Sequence, residues 1–387
     1  MSTLTATPRC PHFGHCGGCQ HQDLAYDAQV LAKRERLQSL LAEAGCIYSG
    51  EIDTHTAAPY EYRNRIRLRI EQQRGTLQLG YNQLGTTDFQ PIAACPIAAP
   101  ALWSVASSLI AAATAERDAL FWLNAATELE LFCNHDQSQL QLTLLCAPRT
   151  KSLQGSFIRA FKAMQQHAPH GITLVGAGAI ASDPRTGPTG RSLAEAGAAG
   201  MNYRVGTETY WITRGGFFQI NRFLLEPLVD LVCRADGTPR SGALAWDLFS
   251  GVGLFSRILA RSFAQVVAVE SNAAAIADLR SVFRKLGPTH TAIESTVLDY
   301  LRATALQREH PDLVVLDPPR AGAGVEACGL LNRIAPQHIV YVSCDPATLA
   351  RDLAVLQPHY RITALHLVDL FPQTVHLETI AILHRTS

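Results

Sequence analysis

The sequence predicts an α/β protein: a doubly wound, Rossmann-like sheet in the C-terminal half, preceded by a β-rich N-terminal and central region that carries a four-cysteine site. Three observations predict it. Beyond residue 242, short apolar runs alternate with helical stretches; a glycine loop follows the first run, and an acid ends the second. The N-terminal half carries strand-like runs instead. At 387 residues two domains are expected, spanning 1–205 and 206–387. An apolar content of 47% suits a full globular core. No apolar run approaches the length of a membrane span. Net charge is zero, so basic character has to be local and long-range steering of a polyanion weak.

From the N-terminus, Cys10, Cys16 and Cys19 form a C-x5-C-x2-C pattern in a glycine-rich stretch, close enough for three sulfurs to converge on one centre. Cys95, in Ala93-Ala94-Cys95-Pro96, can complete a four-thiolate site. Zinc is the generic occupant of four cysteines, and disulfides are the reading for a secreted chain. Met1 to Pro8 are polar and lack an apolar core, so no signal peptide is expected. A reducing, cytoplasmic compartment then argues against disulfides. Cys46, Cys133, Cys146, Cys233 and Cys328 show no convergent spacing and read as core.

Tyr26 to Glu43 has the apolar spacing of an amphipathic helix stopping at Gly45. Next, Arg63, Arg65, Arg67 and Arg69 alternate with Ile66, Leu68 and Ile70. In a strand the arginines share one face, which predicts a phosphate-binding ladder. The bland reading is a solvated face, normally of mixed charge. Leu77–Tyr81, Glu128–Cys133 and Leu140–Leu145 read as further strands, and Gly176–Ala199, rich in small residues, as loop or linker.

In the second half, Ala243–Phe249 is an apolar strand, followed by Ser250-Gly251-Val252-Gly253 and a helical stretch, Leu254–Arg261. A second strand, Gln265–Val269, ends in Glu270, an acid placed to take a ribose hydroxyl pair. The loop lacks the third glycine of a dinucleotide fingerprint. With no pyrophosphate to cradle, it fits S-adenosylmethionine better than a nicotinamide dinucleotide. Leu313–Leu316 runs into Asp317-Pro318-Pro319-Arg320, two prolines stiffening a strand's C-terminal edge, where open α/β sheets bind ligands. His338–Val342 reads as a buried strand and Pro346–Arg351 as a helix with proline in its first turn. Between them lies Cys344, which is either a nucleophile whose pKa the helix N-terminus lowers or one more small buried residue. Glu378 precedes the apolar stretch Thr379–Leu383.

Taken together these stretches resemble the RNA uracil-C5 methyltransferase family. Phe217-Phe218-Gln219-Ile220-Asn221, Asp247–Gly253, Asp317-Pro318-Pro319-Arg320, Val342-Ser343-Cys344-Asp345-Pro346 and His376-Leu377-Glu378 fall in the family's order, across residues 206–387. The resemblance implies a class I methyltransferase domain using S-adenosylmethionine. It makes Cys344 the nucleophile and Glu378 the base. Gln219, Phe249, Glu270 and Asp317 become contacts to S-adenosylmethionine, with Asp299 near the adenine. Two positions depart from the pattern. Leu254 replaces a polar residue, and Asp345 replaces a common asparagine, adding a negative charge that would raise the thiol's pKa. The family's ribosomal-RNA members often hold a [4Fe–4S] cluster on four cysteines of this pattern. By resemblance, then, Cys10, Cys16, Cys19 and Cys95 bind such a cluster. A fourth thiolate closes the iron site, which excludes a radical reaction on it. Relatives often place a small β-barrel before these cysteines, whereas nine residues precede Cys10 here.

The chemistry explains the residue types. C5 of uracil is a poor nucleophile until a thiolate adds to C6 and pushes charge onto C5 and O4. After methylation a base removes the C5 proton and the thiolate leaves. Arg320 or Gln219 is available to hold the base or the charge at O4. The expected partner is RNA, 23S ribosomal RNA ahead of transfer RNA, with no membrane and the chain acting as a monomer. Two other readings are a methyltransferase acting on an exocyclic base nitrogen, which leaves Cys344 and Glu378 without a task, and a catalytically silent iron–sulfur RNA-binding protein.

Overall fold

The computed structural model describes residues 5–183, 187–307 and 310–386. The chain forms two compact units, but not by a single cut at 205/206. Residues 5–25, 58–215 and 219–222 make the first, and 26–57, 216–218 and 223–386 the second. Helix α1 (Tyr26–Glu43) and strand β1 (Ile52–His55) thus belong with the C-terminal half. The reason is hydrogen bonding that local sequence does not reveal: β1 pairs in parallel with residues 365–368.

In the first unit, β2 (Arg65–Gln73), β3 (Thr76–Asn82) and β4 (Phe89–Pro91) are followed by helices α2 (Pro100–Ala115) and α3 (Arg117–Ala125). Then come β5 (Ala126–Cys133), β6 (Gln139–Cys146), α4 (Gln154–His167), β7 (Thr173–Asp183) and β8 (Gly187–Gly197). A hairpin of β9 (Gly200–Val205) and β10 (Glu208–Thr213) closes the unit. The seven-stranded sheet runs β4-β3-β2-β5-β6-β7-β8. Leu102, Leu109, Trp122 and Phe157 from the helices and Leu129, Leu131, Leu142 and Leu144 from the sheet form one core. The expected linker over 176–199 is instead the β7–β8 pair, residues 184–186 lying outside the described residues. Its small residues are there for close approach: a Cβ on Gly176 would stand 2.0 Å from the Ala198 carbonyl oxygen.

The second unit adds α5 (Leu225–Cys233), the short β11 (Arg234–Ala235) and β12 (Thr238–Pro239), β13 (Gly242–Leu248), α6 (Ser256–Leu259), β14 (Phe263–Glu270) and α7 (Ala273–Leu286). It continues with β15 (Thr291–Glu294), α8 (Val297–Thr304), β16 (Leu313–Leu316), α9 (Val325–Ile334), β17 (His338–Ser343) and α10 (Pro346–Leu356). β18 (Tyr360–Val368) and β19 (Glu378–Arg385) end it. The sheet order is β1-β18-β19-β17-β16-β13-β14-β15. β13 to β17 are parallel, as the apolar runs of β13, β14, β16 and β17 predict; β15 (Thr291-Ala292-Ile293-Glu294) carries no such run, and β19 is antiparallel to both β17 and β18. The strand order reverses between β13 and β16, which makes the crevice beyond their C-terminal ends the expected ligand position. Trp246, Leu248, Val314, Leu316, Ile339 and Tyr341 form the core with Leu37 and Leu41 of α1. Among the described residues no helix is long and apolar enough to cross a membrane.

Candidate active site and cysteine pocket

Strand register brings the candidate residues of the second unit together. The antiparallel β17–β19 ladder ends at Ser343↔Thr379, so the next residues outward are Cys344 and Glu378. β16 lies on the other side of β17, with Leu316 opposite Tyr341, and Asp317 follows it. Because β19 is antiparallel, its first residue meets the last residues of its parallel neighbours. Thiol and carboxylates therefore share one sheet edge.

That edge is not the thiolate-favouring environment expected of a helix start. The Asp345 carboxylate caps α10 by accepting from Ala347 N and Thr348 N, both at 3.0 Å, so those N–H groups do not serve Cys344. Burial, then the charges of Glu378 and Asp317, push the Cys344 thiol up to about 11, with Arg320 opposing them. Glu378 is buried, and its carboxyl is raised well above the usual range by desolvation first and by Asp317 second. Arg320 is the cation of the group, and its Nη2 lies 3.5 Å from His376 Nε2.

The Pro-Pro loop is fastened from α10. Thr348 Oγ1 donates to the Arg320 carbonyl at 3.1 Å, and Arg351 Nη2 donates to the Ala321 carbonyl at 2.8 Å. Buried Asp352 accepts from Ala323 N, Gly324 N and the Tyr341 hydroxyl at 2.8, 3.1 and 2.7 Å. The helix that follows Cys344 thus also sets the loop of Asp317 and Arg320. Sequence reasoning missed Asp352; the one signal was an acid on the apolar face of a short helix.

The glycine loop is organised by two acids. Glu270, at the end of β14, accepts from Gly251 N at 3.0 Å and Asn272 N at 2.7 Å. Asp247 is buried; its Oδ2 accepts from Ser256 N at 2.8 Å and from the Ser256 hydroxyl, while Oδ1 has no partner among the described residues. Burial foremost pushes its carboxyl up to about 7. Phe249 adopts a left-handed backbone at φ 65°, a strained conformation for an aromatic residue. Asp299 opens α8 in a reciprocal cap with Thr296, 2.7 Å between side chains and 3.1 Å from Asp299 N. Gln219 belongs to the first unit, where its carbonyl accepts from Asn64 Nδ2 at 2.9 Å.

In the first unit, Cys10, Cys16, Cys19 and Cys95 line one cavity of about 170 Å³. All four are free thiols. Cys19 is pushed up to about 12 by burial foremost and also by the three other cysteines. Arg63 lines the same cavity, and its Nε is buried without a hydrogen-bond partner among the described residues. Among those residues, too, no group of three or more His, Cys, Asp or Glu side chains is placed to hold a metal ion. The expected arginine ladder does not survive. Arg65 pairs with Glu130 at 3.2 Å and lies over the Phe132 ring, Arg67 pairs with Glu128, and Arg69 with Glu71. The row is one half of a mixed-charge sheet face whose acids come mostly from β5.

Comparison with known proteins adds independent findings. Residues 289–386 match the family model described as tRNA (Uracil-5-)-methyltransferase. The 23S rRNA (uracil(1939)-C(5))-methyltransferase RlmD of Azoarcus sp. is 31% identical over 99% of this chain and 87% of its own. The enzyme of the same name from Klebsiella pneumoniae is 31% identical over 98% of this chain and 81% of its own. In fold, the chain resembles the Pyrococcus abyssi tRNA (uracil-54, C5)-methyltransferase solved with S-adenosyl-L-homocysteine. The TM-score is 0.74 at 24% identity, covering 95% of this chain and 86% of that one.

Proposed function

The chain belongs to the S-adenosylmethionine-dependent RNA uracil-C5 methyltransferases, and we propose that Cys344 is its nucleophile and Glu378 its base. The observation that carries this is the shared strand edge: a thiol and a buried carboxyl side by side beyond the Ser343↔Thr379 pair, with Asp317 and Arg320 beside them.

The Cys344 thiolate forms a bond to C6 of the uracil, and the C5=C6 electron pair moves toward C5 and O4. Bound S-adenosylmethionine supplies an electrophilic methyl group, which C5 takes as the S–CH3 bond breaks. Glu378 then removes the C5 proton; its electron pair restores C5=C6 and expels the thiolate. Arg320 counters charge that builds up near the thiol. C5 and C6 are shielded in a stacked helix, so the uridine is flipped out or lies in a loop. Phe249, Glu270, Asp299 and Asp317, with Gln219, are the residues the family pattern assigns to S-adenosylmethionine. Glu270 suits a ribose because its Oε2, which accepts the Gly251 N–H, keeps a second lone pair for a hydroxyl.

Of the RNAs, we propose 23S ribosomal RNA. Two enzymes acting on it are 31% identical to this chain over nearly its full length, while the transfer-RNA enzyme of known structure contributes likeness of fold. The test uses anaerobically purified protein, labelled S-adenosylmethionine, and separate unmodified 23S ribosomal RNA and transfer RNA. 5-Methyluridine in the ribosomal RNA alone is expected; the same product in transfer RNA alone overturns the substrate, and normal turnover by Cys344→Ala overturns the nucleophile.

The cysteine pocket fits an iron–sulfur cluster. Four free thiols surround one cavity, and a buried guanidinium nitrogen without a partner among the described residues suits an occupant of net negative charge. Bound there, the cluster would tie Cys95 to the 10–19 segment. Iron and sulfide in anaerobically purified protein, lost in Cys16→Ser, are the expected result; zinc in their place overturns it.

A further inference from the structure

The polar face of α1 has no part in the mechanism above. Its buried residues are Gln29, Lys33, Leu37 and Leu41, four apart along one stripe. The two leucines enter the core. The two polar residues meet the segment that joins β18 to β19 and ends at Glu378. Lys33 Nζ donates to Asp369 Oδ1 at 2.6 Å and to the Phe371 carbonyl at 3.0 Å, and the Tyr26 hydroxyl donates to Asp369 Oδ2 at 2.9 Å. Gln29 and Gln373 bond reciprocally: Gln29 Nε2 donates to Gln373 Oε1 at 3.1 Å, and Gln373 N to Gln29 Oε1 at 3.0 Å. Arg36 adds a bond to the Val375 carbonyl at 3.3 Å. The segment is thus held at 369, 371, 373 and 375 by one helix.

Two features give this clamp more than a packing role. Lys33 and Asp369 are 3% and 0% exposed, and a buried ion pair contributes little stability compared with apolar packing of the same volume. Gln373 has a left-handed backbone at φ 68°, a conformation that persists only when its surroundings over-determine it. Asp369 of the pair and the strained Gln373 both lie within ten residues of Glu378.

We infer that α1 is a positioning element for the base: Lys33 and Gln29 fix the 369–377 segment so that the Glu378 carboxylate meets the C5 proton. This rests on the reading of Glu378 given above. A base misplaced by an ångström loses about 100-fold in rate, and the step it serves is the expulsion of Cys344. Slowing that step leaves the methylated RNA attached to the protein.

The test compares Lys33→Met, Gln29→Met, Lys33→Arg and Glu378→Gln with the parent chain, in the full-length protein. The probes are S-adenosylmethionine and the RNA that the parent methylates. Glu378→Gln should accumulate an RNA–protein complex that survives denaturing electrophoresis. Lys33→Met and Gln29→Met should do the same, with kcat lowered about tenfold or more and KM for both substrates unchanged; Lys33→Arg should recover turnover. Complex with Glu378→Gln but unchanged turnover in both Met variants overturns the positioning inference alone. So does a fall in kcat that comes with less complex, which is the signature of a merely structural helix. Normal turnover by Glu378→Gln overturns the base reading and the inference together.

Discussion

At the scale of single residues, the environment of Cys344 decides how the reaction should depend on pH. Burial and two carboxylates push the thiol up to about 11, and Glu378 is raised as well. Both groups act in their deprotonated forms, so both gain activity as pH rises. With the thiol near 11, kcat/KM should climb from pH 7 to 9 by up to about tenfold per unit, one ionisation governing the slope. A plateau already at pH 8 would contradict this. Arg320→Gln removes the opposing cation and should move the profile further alkaline. Asp345→Asn should not move it, since the charges that raise the thiol are those of Glu378 and Asp317. Asp247 gives the opposite trend in stability. Its carboxyl is raised to about 7 in the fold against a usual value near 4. The contribution is full below pH 4 and is lost as pH rises toward 7. Asp247→Asn should flatten unfolding free energy against pH across that window, as chemical denaturation at several pH values would report. Such residues were legible in sequence because each stands at a strand end in a short motif. Their electrostatics were not, because burial first, and then charges on other strands, set them.

At the scale of elements, sequence legibility follows how far away an element's partner lies. The parallel strands β13, β14, β16 and β17 read directly, since their buried residues form short apolar runs, whereas the short, half-exposed β15 left no such signal. The arginine row of β2 was visible too, yet its neutralising acids, Glu128 and Glu130, lie some sixty positions on, in β5. Arg67→Gln should therefore leave the slope of log K against log salt for RNA binding unchanged. Removing a cation that held a phosphate would lower that slope by about 0.7 to 0.9. α1 was placed to the residue, but Gln29 and Lys33 look in sequence like its wet side. The loop after β16 makes the complementary case. Gly322 has φ 76°, and a Cβ there would stand 2.6 Å from both Arg351 Nη2 and Asp352 Oδ2. Gly322→Ala should displace the Asp317–Arg320 loop from α10. The expected cost is about 1–3 kcal/mol in stability, together with a fall in kcat/KM, read by thermal melting and initial rates.

For the whole molecule, the consequence of the chain's path is that the C-terminal half is not a domain in itself. A fragment of residues 206–387 follows the division that composition suggests, yet it omits α1 and β1, which belong to the second unit. Without them β18 loses its parallel partner along Leu365–Val368. Leu37, Leu41 and Ile52 leave the core, at about 1.5–3 kcal/mol for each fully buried side chain. Asp369 is stranded as a buried charge without Lys33, a loss of about 3–5 kcal/mol. Together these match the entire stability of an ordinary domain, about 5–15 kcal/mol. The fragment should accordingly fail to melt cooperatively and fail to bind S-adenosylmethionine. Fusing residues 26–57 ahead of 216–387 through a flexible linker restores the missing ladder, core and ion pair, and should recover the cooperative transition. A cooperative melt from 206–387 alone would mean that α1 and β1 are appended to a sheet already sufficient without them, and the clamp on the Glu378 segment would then have to act on a domain that folds before it arrives.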